Sequence, residues 1–209
     1  MHRFIPVIFF FIASVAGAQN KPLDASTIQQ IKVGVAQAAT KTKTISSDFI
    51  QEKEMSILND KIITTGRFFF KQEQFLRWEY IHPFSYVIAI RGDLISIQDE
   101  GKVKSFNTQS NKVFAEVNKI IIGSVNGKLL DNNTFTATYI QNKDYFVVSL
   151  TPVSAILKES LNRITIYFNK KDFTVDKIEM HEPGGDFTRI TFTNRQLNQP
   201  ISDEVFILK

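Results

Sequence analysis

The chain has 209 residues, 25 Lys and Arg against 21 Asp and Glu, and no cysteine. That length suits one domain with a sizeable core. The lack of cysteine excludes disulfides and thiol chemistry, and the scattered lysines do not form the basic stripe that nucleic-acid binding calls for.

Met1-His2-Arg3 carries positive charge, Phe4 to Val15 is almost wholly apolar, and Ala16-Gly17-Ala18 supplies small residues at a cleavage point. An export signal cut after Ala18 is expected, because the apolar run is well short of the roughly 20 residues that cross a bilayer. The 209 residues less the 18 of the leader leave 191, and losing Arg3 leaves 24 basic groups against 21 acidic ones, a charge of +3. No cysteine follows the cut, so a lipid-anchored N-terminus is not expected. Residues 19–209 are expected to form a single soluble domain held together by core packing alone.

From Leu23 to Ala39 the chain reads as a helix: Asp24 or Ser26 caps its start, and Ile28, Ile31, Val35 and Ala38 or Ala39 recur at helical spacing. From Ile45 the period changes to two. Residues 45–58, 62–71, 75–80, 86–91, 94–99 and 102–107 are short runs rich in Ile, Val, Phe, Thr and Tyr, separated by turn chemistry such as Asn59-Asp60, His82-Pro83, Gly92-Asp93 and Glu100-Gly101. A second helix is expected over about Val113 to Ser124, with Val117, Ile120, Ile121 and Ile122 crowding one side. Strands resume at 134–141, 144–150, 162–169, 174–181 and 186–193.

Connections this short join antiparallel neighbours, which predicts about ten or eleven strands in one meandering sheet with few helices. A sheet that wide curls, because adjacent strands twist by roughly 20 to 25° each, and curling makes a concave face. In the stretch 75–80, Leu76, Trp78 and Tyr80 point one way while Phe75, Arg77 and Glu79 point the other. With 19 Phe, 5 Tyr and 1 Trp in the chain, bulky rings on a face that two modest helices must cover favour an apolar cavity.

Catalytic chemistry is poorly represented. The glycines before Gly184-Gly185 are mostly isolated, with no phosphate loop, and there is no G-x-S-x-G elbow. His181-Glu182 lacks the downstream histidine of a zinc helix. Glu52 and Glu54 share a strand face as a glycosidase pair might, but Lys53 and Lys61 beside them favour a solvated outer face. No enzyme activity, cofactor or metal is expected.

Asp48-Phe49-Ile50-Gln51, then Gly66-Arg67-Phe68-Phe69-Phe70-Lys71, then Arg77-Trp78-Glu79-Tyr80 with Pro83 after it, follow the amphipathic helix in an order that resembles the LolA family of periplasmic lipoprotein carriers. The likeness runs from about residue 23 to Phe206, which looks like the family's closing aromatic. The resemblance implies a mainly β (α+β) fold: an incomplete antiparallel barrel with helices lidding its concave apolar face. It also implies a periplasmic carrier that takes acyl chains of lipoproteins released by an inner-membrane transporter and hands them to an outer-membrane acceptor, without catalysis and as a monomer. On this carry-over Phe49, Phe68, Phe70, Leu76, Trp78, Tyr80, Ile88 and Ile90 would line the acyl-chain cavity, and Val117, Ile120, Ile121 and Ile122 would belong to the lid helix. Gln72-Glu73 stand where the family often places a basic residue and a proline. A sensory or interaction module of the same fold, binding a lipid or protein signal, is the alternative.

Overall fold

The structure is a computed structural model that describes residues 23–57, 60–72, 74–107, 123, 130 and 134–209. The expected leader and the expected lid helix with Val117, Ile120, Ile121 and Ile122 lie outside the described residues.

Helix α1 runs Ala25–Lys41. Asp24 caps it by accepting from the Thr27 amide at 2.8 Å and the Ser26 hydroxyl at 2.6 Å. Hydrogen bonds from Ser26 and Thr27 hold the Asp24 carboxyl down at about 2, since they favour the charged form. The expected apolar stripe is present, with Ile31 and Val35 buried.

Among the described residues eleven strands follow: β1 Thr44–Glu54, β2 Lys61–Lys71, β3 Phe75–His82, β4 Tyr86–Arg91, β5 Leu94–Asp99, β6 Lys102–Asn107, β7 Phe135–Gln141, β8 Tyr145–Pro152, β9 Arg163–Asn169, β10 Val175–His181 and β11 Phe187–Leu197. A short helix α2, Ala155–Lys158, separates β8 from β9, and a 3₁₀ turn, Asp203–Phe206, ends the chain. Sequence reading missed both of these short pieces.

All eleven strands form one antiparallel sheet in the order β6-β5-β4-β3-β2-β1-β11-β10-β9-β8-β7. The meander is thus in two halves, joined where β1 pairs with β11. Among the described residues the sheet ends at β6 and β7 without closing, so the barrel is incomplete. β1 stops at Glu54 instead of residue 58, because the Ser56 amide turns to donate to Asp186 at 2.9 Å. β11 runs past 193 to Leu197, staying paired to Ile45 across a bulge at Ser46/Asp48.

Two rows of cross-strand neighbours separate the faces, since directly opposite residues lie on the same side of a sheet. One row is Thr64, Gln51, Ile190, Ile178, Ile166, Val148 and Tyr139. Ile166 and Val148 pack with Ile31 and Val35 of α1, so this is the inner face. The next row over, Glu52, Arg189, Glu179, Thr165 and Ser149, is polar and faces out. There Arg189 donates to Glu179 at 2.9 Å and to Glu52 at 3.1 Å, and the Tyr167 hydroxyl donates to Glu179 at 2.9 Å. Burial opposes the charge on Glu179, but hydrogen bonds from Arg189 and Tyr167 and the nearby Lys177 outweigh it and hold the carboxyl below its ordinary value. Burial, then the bond to Glu179, pushes the Tyr167 phenol up to about 12. Glu52 and Glu54 are each tied into ion pairs, with Arg189 and Lys61.

The core divides along the same face. One cluster gathers α1 with β7 to β10, around Ile31, Val148, Ile166 and Phe168. A second, aromatic cluster belongs to β1 to β5 and β11. On the outer face of β3, the C-terminal turn brings Phe206 to 5.5 Å from Phe75, ring centre to ring centre, and Arg77 donates to the Val205 carbonyl at 3.2 Å.

Candidate functional site

The inner face of β1 to β5 is built by alternation. Phe70, Leu76, Ile90, Ile95 and Phe106 stand opposite one another in one row, and Phe68, Trp78, Ile88 and Ile97 in the next. A third row holds Phe192, Phe49, Gly66, Tyr80 and Tyr86. All eight residues expected to line a cavity therefore share one face: Phe49, Phe68, Phe70, Leu76, Trp78 and Ile90 form the buried cluster, and Tyr80 and Ile88 pack against it half-buried.

Gly66 makes the ring arrangement possible. A Cβ there would sit 1.9 Å from the Glu79 carbonyl oxygen and 2.6 Å from the Phe49 ring. The bare backbone lets the Phe49 ring lie across the strand and reach Trp78, at 4.8 Å between ring centres, and Tyr80, at 5.3 Å and nearly edge-on. Phe68 and Phe192 meet the Trp78 indole edge-on at 5.3 Å and 6.0 Å. Offset and edge-to-face geometry of this kind suits the ring quadrupoles. Trp78 is thus walled by three phenylalanines, and only 7% of it is exposed.

Sequence reasoning missed Ile95, Ile190 and Phe192. Ile95 lies in an alternating run, 94–99, that already suggested a strand. Ile190 and Phe192 enter only because β11 pairs with β1, a contact between residues about 140 positions apart that no local pattern announces.

At the end of this face beyond Phe49, the apolar rows give way to polar side chains. The Tyr80 hydroxyl donates to Gln51 Oε1 at 3.1 Å, and Thr64 stands directly opposite Gln51. Burial pushes the Tyr80 phenol above its ordinary value. The Trp78 indole N–H lies near enough to act on that phenol but does not meet hydrogen-bond geometry. Among the described residues, Trp78 Nε1 and Thr64 Oγ1 are buried with no hydrogen-bond partner. One pair further along β1, Lys53 lies 3.7 Å from Glu182 at the rim.

Among the described residues, the buried side chains gathered on this part of the face are apolar or neutral polar, and the charged Lys53 stands at its rim. Where β10 ends beside the start of β9, His181 stands 2.9 Å from Arg163, and burial followed by that guanidinium charge holds the imidazole below its ordinary value. Among the described residues no helix is long and apolar enough to cross a membrane.

The family described as outer membrane lipoprotein carrier protein LolA matches residues 40–209. No curated protein matches the sequence. Solved structures align with this chain at low identity. An uncharacterized conserved protein from Thermus thermophilus aligns with a TM-score of 0.54 at 7% identity, over 86% of this chain and 92% of that one. MucB in the Pseudomonas aeruginosa MucA/MucB complex aligns at 0.51 and 9%, over 87% of this chain and 60% of the other. A LolA superfamily protein from Nitrosomonas europaea aligns at 0.44 and 11%, over 86% and 96%.

Proposed function

This chain belongs to the LolA family, and from that premise we propose that it is a periplasmic carrier whose inner face receives the acyl chains of lipoproteins. One observation carries the reading. Phe49, Phe68, Phe70, Leu76, Trp78 and Ile90 converge on the inner side of a sheet that does not close. A core needs packing but not an open barrel, whereas a carrier needs both an apolar lining and a way in.

The energetics suit transport without catalysis. Burying an acyl chain yields about 0.8 kcal/mol per CH₂, so one chain of about sixteen carbons gains on the order of 12 kcal/mol if wholly covered. Water alone is therefore no route between membranes. The aromatic rings already bury one another, so an entering chain replaces ring contacts as well as water, and the net gain is a fraction of that figure. A moderate net gain lets the chains pass downhill to an acceptor that covers them better. On this reading the leader sends the chain to the periplasm, residues 19–209 form the carrier domain, an inner-membrane transporter loads it, and an outer-membrane acceptor unloads it.

The test is mass spectrometry of the protein purified from the periplasm. Wild type is expected to carry acylated protein or lipid, and Leu76→Glu, which puts a charge among the rings, is expected to lose it. A clean wild-type preparation that also fails to take up a diacylated lipopeptide would refute the proposal. A second reading draws support from MucB, which shares the fold and was solved with MucA: the same face would bind a protein or lipid signal. An unacylated polypeptide as the co-purified species would favour it.

A further inference from the structure

Among the described residues no group meets Trp78 Nε1 or Thr64 Oγ1 in hydrogen-bond geometry, which is unusual because a buried donor without a well-placed acceptor costs the desolvation of that group. Thr64 is 2% exposed and Trp78 7%. Both belong to the inner face: Trp78 opposes Phe68 and Ile88, and Thr64 opposes Gln51. Gln51, Thr64, Trp78 and Tyr80 together make a polar niche bordering the aromatic rows, since the Tyr80 hydroxyl already bonds Gln51 and Trp78 neighbours Tyr80 along the same face.

The chemistry of the niche selects its ligand. An indole N–H only donates, and a threonine hydroxyl also has a proton to give, so the complement is an acceptor. All four side chains are neutral, and Lys53, the next residue outward on this face of β1, is engaged with Glu182. A carboxylate or phosphate would enter without a counter-charge, at heavy desolvation cost. A carbonyl oxygen would not. Resting on the carrier reading, we propose that this niche binds the acyl carbonyl, the ester or amide oxygen that joins a hydrocarbon tail to its polar backbone, while the tail lies among Phe49, Phe68 and Trp78. The carrier would then recognise acyl linkages rather than hydrocarbon alone.

The experiment compares two ligands that differ only at that atom: a monoacylglycerol and the alkyl glycerol ether of the same chain length, each titrated calorimetrically into the wild-type protein below its micelle concentration. The ester is expected to bind roughly tenfold tighter, the equivalent of about 1.4 kcal/mol. Thr64→Val, which keeps shape and removes the hydroxyl, is expected to shrink that ratio and leave ether binding nearly unchanged; Trp78→Phe, which removes the N–H together with part of the lining, is expected to shrink the ratio while weakening both ligands. A matched N-acyl amide separates the two sources of the carbonyl, and binding like the ester would extend the site to both. Equal affinity of ester and ether in the wild type overturns the inference and leaves the carrier reading standing. Failure of both to bind overturns the two together.

Discussion

Gly66→Ala tests the geometry on which the aromatic cluster rests. The added methyl would lie 1.9 Å from the Glu79 carbonyl oxygen, a backbone atom of the neighbouring strand, and 2.6 and 2.7 Å from Phe49 ring atoms. Ordinary contact lies near 3.4 Å. The β2–β3 ladder must therefore separate by more than 1 Å, or the chain must shift along both strands, in a sheet whose β2 is held by β1 on its other side. Overpacking typically costs about 1–3 kcal/mol, and a clash with backbone belongs at the upper end. For a domain of this size about 3 kcal/mol lowers Tm by roughly 6–12 °C. Circular dichroism melts give the Tm. Emission of Trp78, the single tryptophan, reports whether Phe49 has moved off the indole, and a red shift is expected. A variant that melts within about 2 °C of wild type with unchanged emission would refute the close-approach argument.

Phe206→Ala removes a ring that is 1% exposed and packs on Phe75, so a loss of about 3 kcal/mol is expected in a denaturant titration. Lys71→Ala cuts a half-exposed ion pair to Asp203 of the same turn and is expected to cost under about 1 kcal/mol. Because Glu179 is held below its ordinary value of 4.5, the stability it contributes is present above that value and is lost as pH falls through its folded value. Thermal melts from pH 6 down to about 3 are therefore expected to fall less steeply for Glu179→Gln than for wild type, and parallel curves would contradict the assignment.

Much of the fold was legible because one signal dominates it. Alternation in 75–80 correctly put Leu76, Trp78 and Tyr80 opposite Phe75, Arg77 and Glu79, and the same period two located all eleven strands to within a few residues. Local patterns carry no information on which distant strands pair, so the junction of β1 with β11 was not legible, and Ile190 and Phe192 went unnamed with it. The short helix α2 was missed because four residues hold no periodic stripe, and Ile156 within it is exposed. Phe206 was noticed as an aromatic, but not that it would cover the outer face of β3. The polar end of the site was invisible for a different reason. A buried threonine or indole is ordinary in a sequence, and only the three-dimensional arrangement reveals that, among the described residues, no group meets Thr64 Oγ1 or Trp78 Nε1 in hydrogen-bond geometry.

The most direct test of the carrier account uses a diacylated lipopeptide brominated along its acyl chains, titrated while Trp78 emission is followed, since bromine quenches an indole on contact. The account predicts saturable quenching that the unbrominated lipopeptide does not produce, and its loss in Leu76→Glu. Binding detected by gel filtration with Trp78 emission unquenched would put the chains elsewhere on the protein and contradict it.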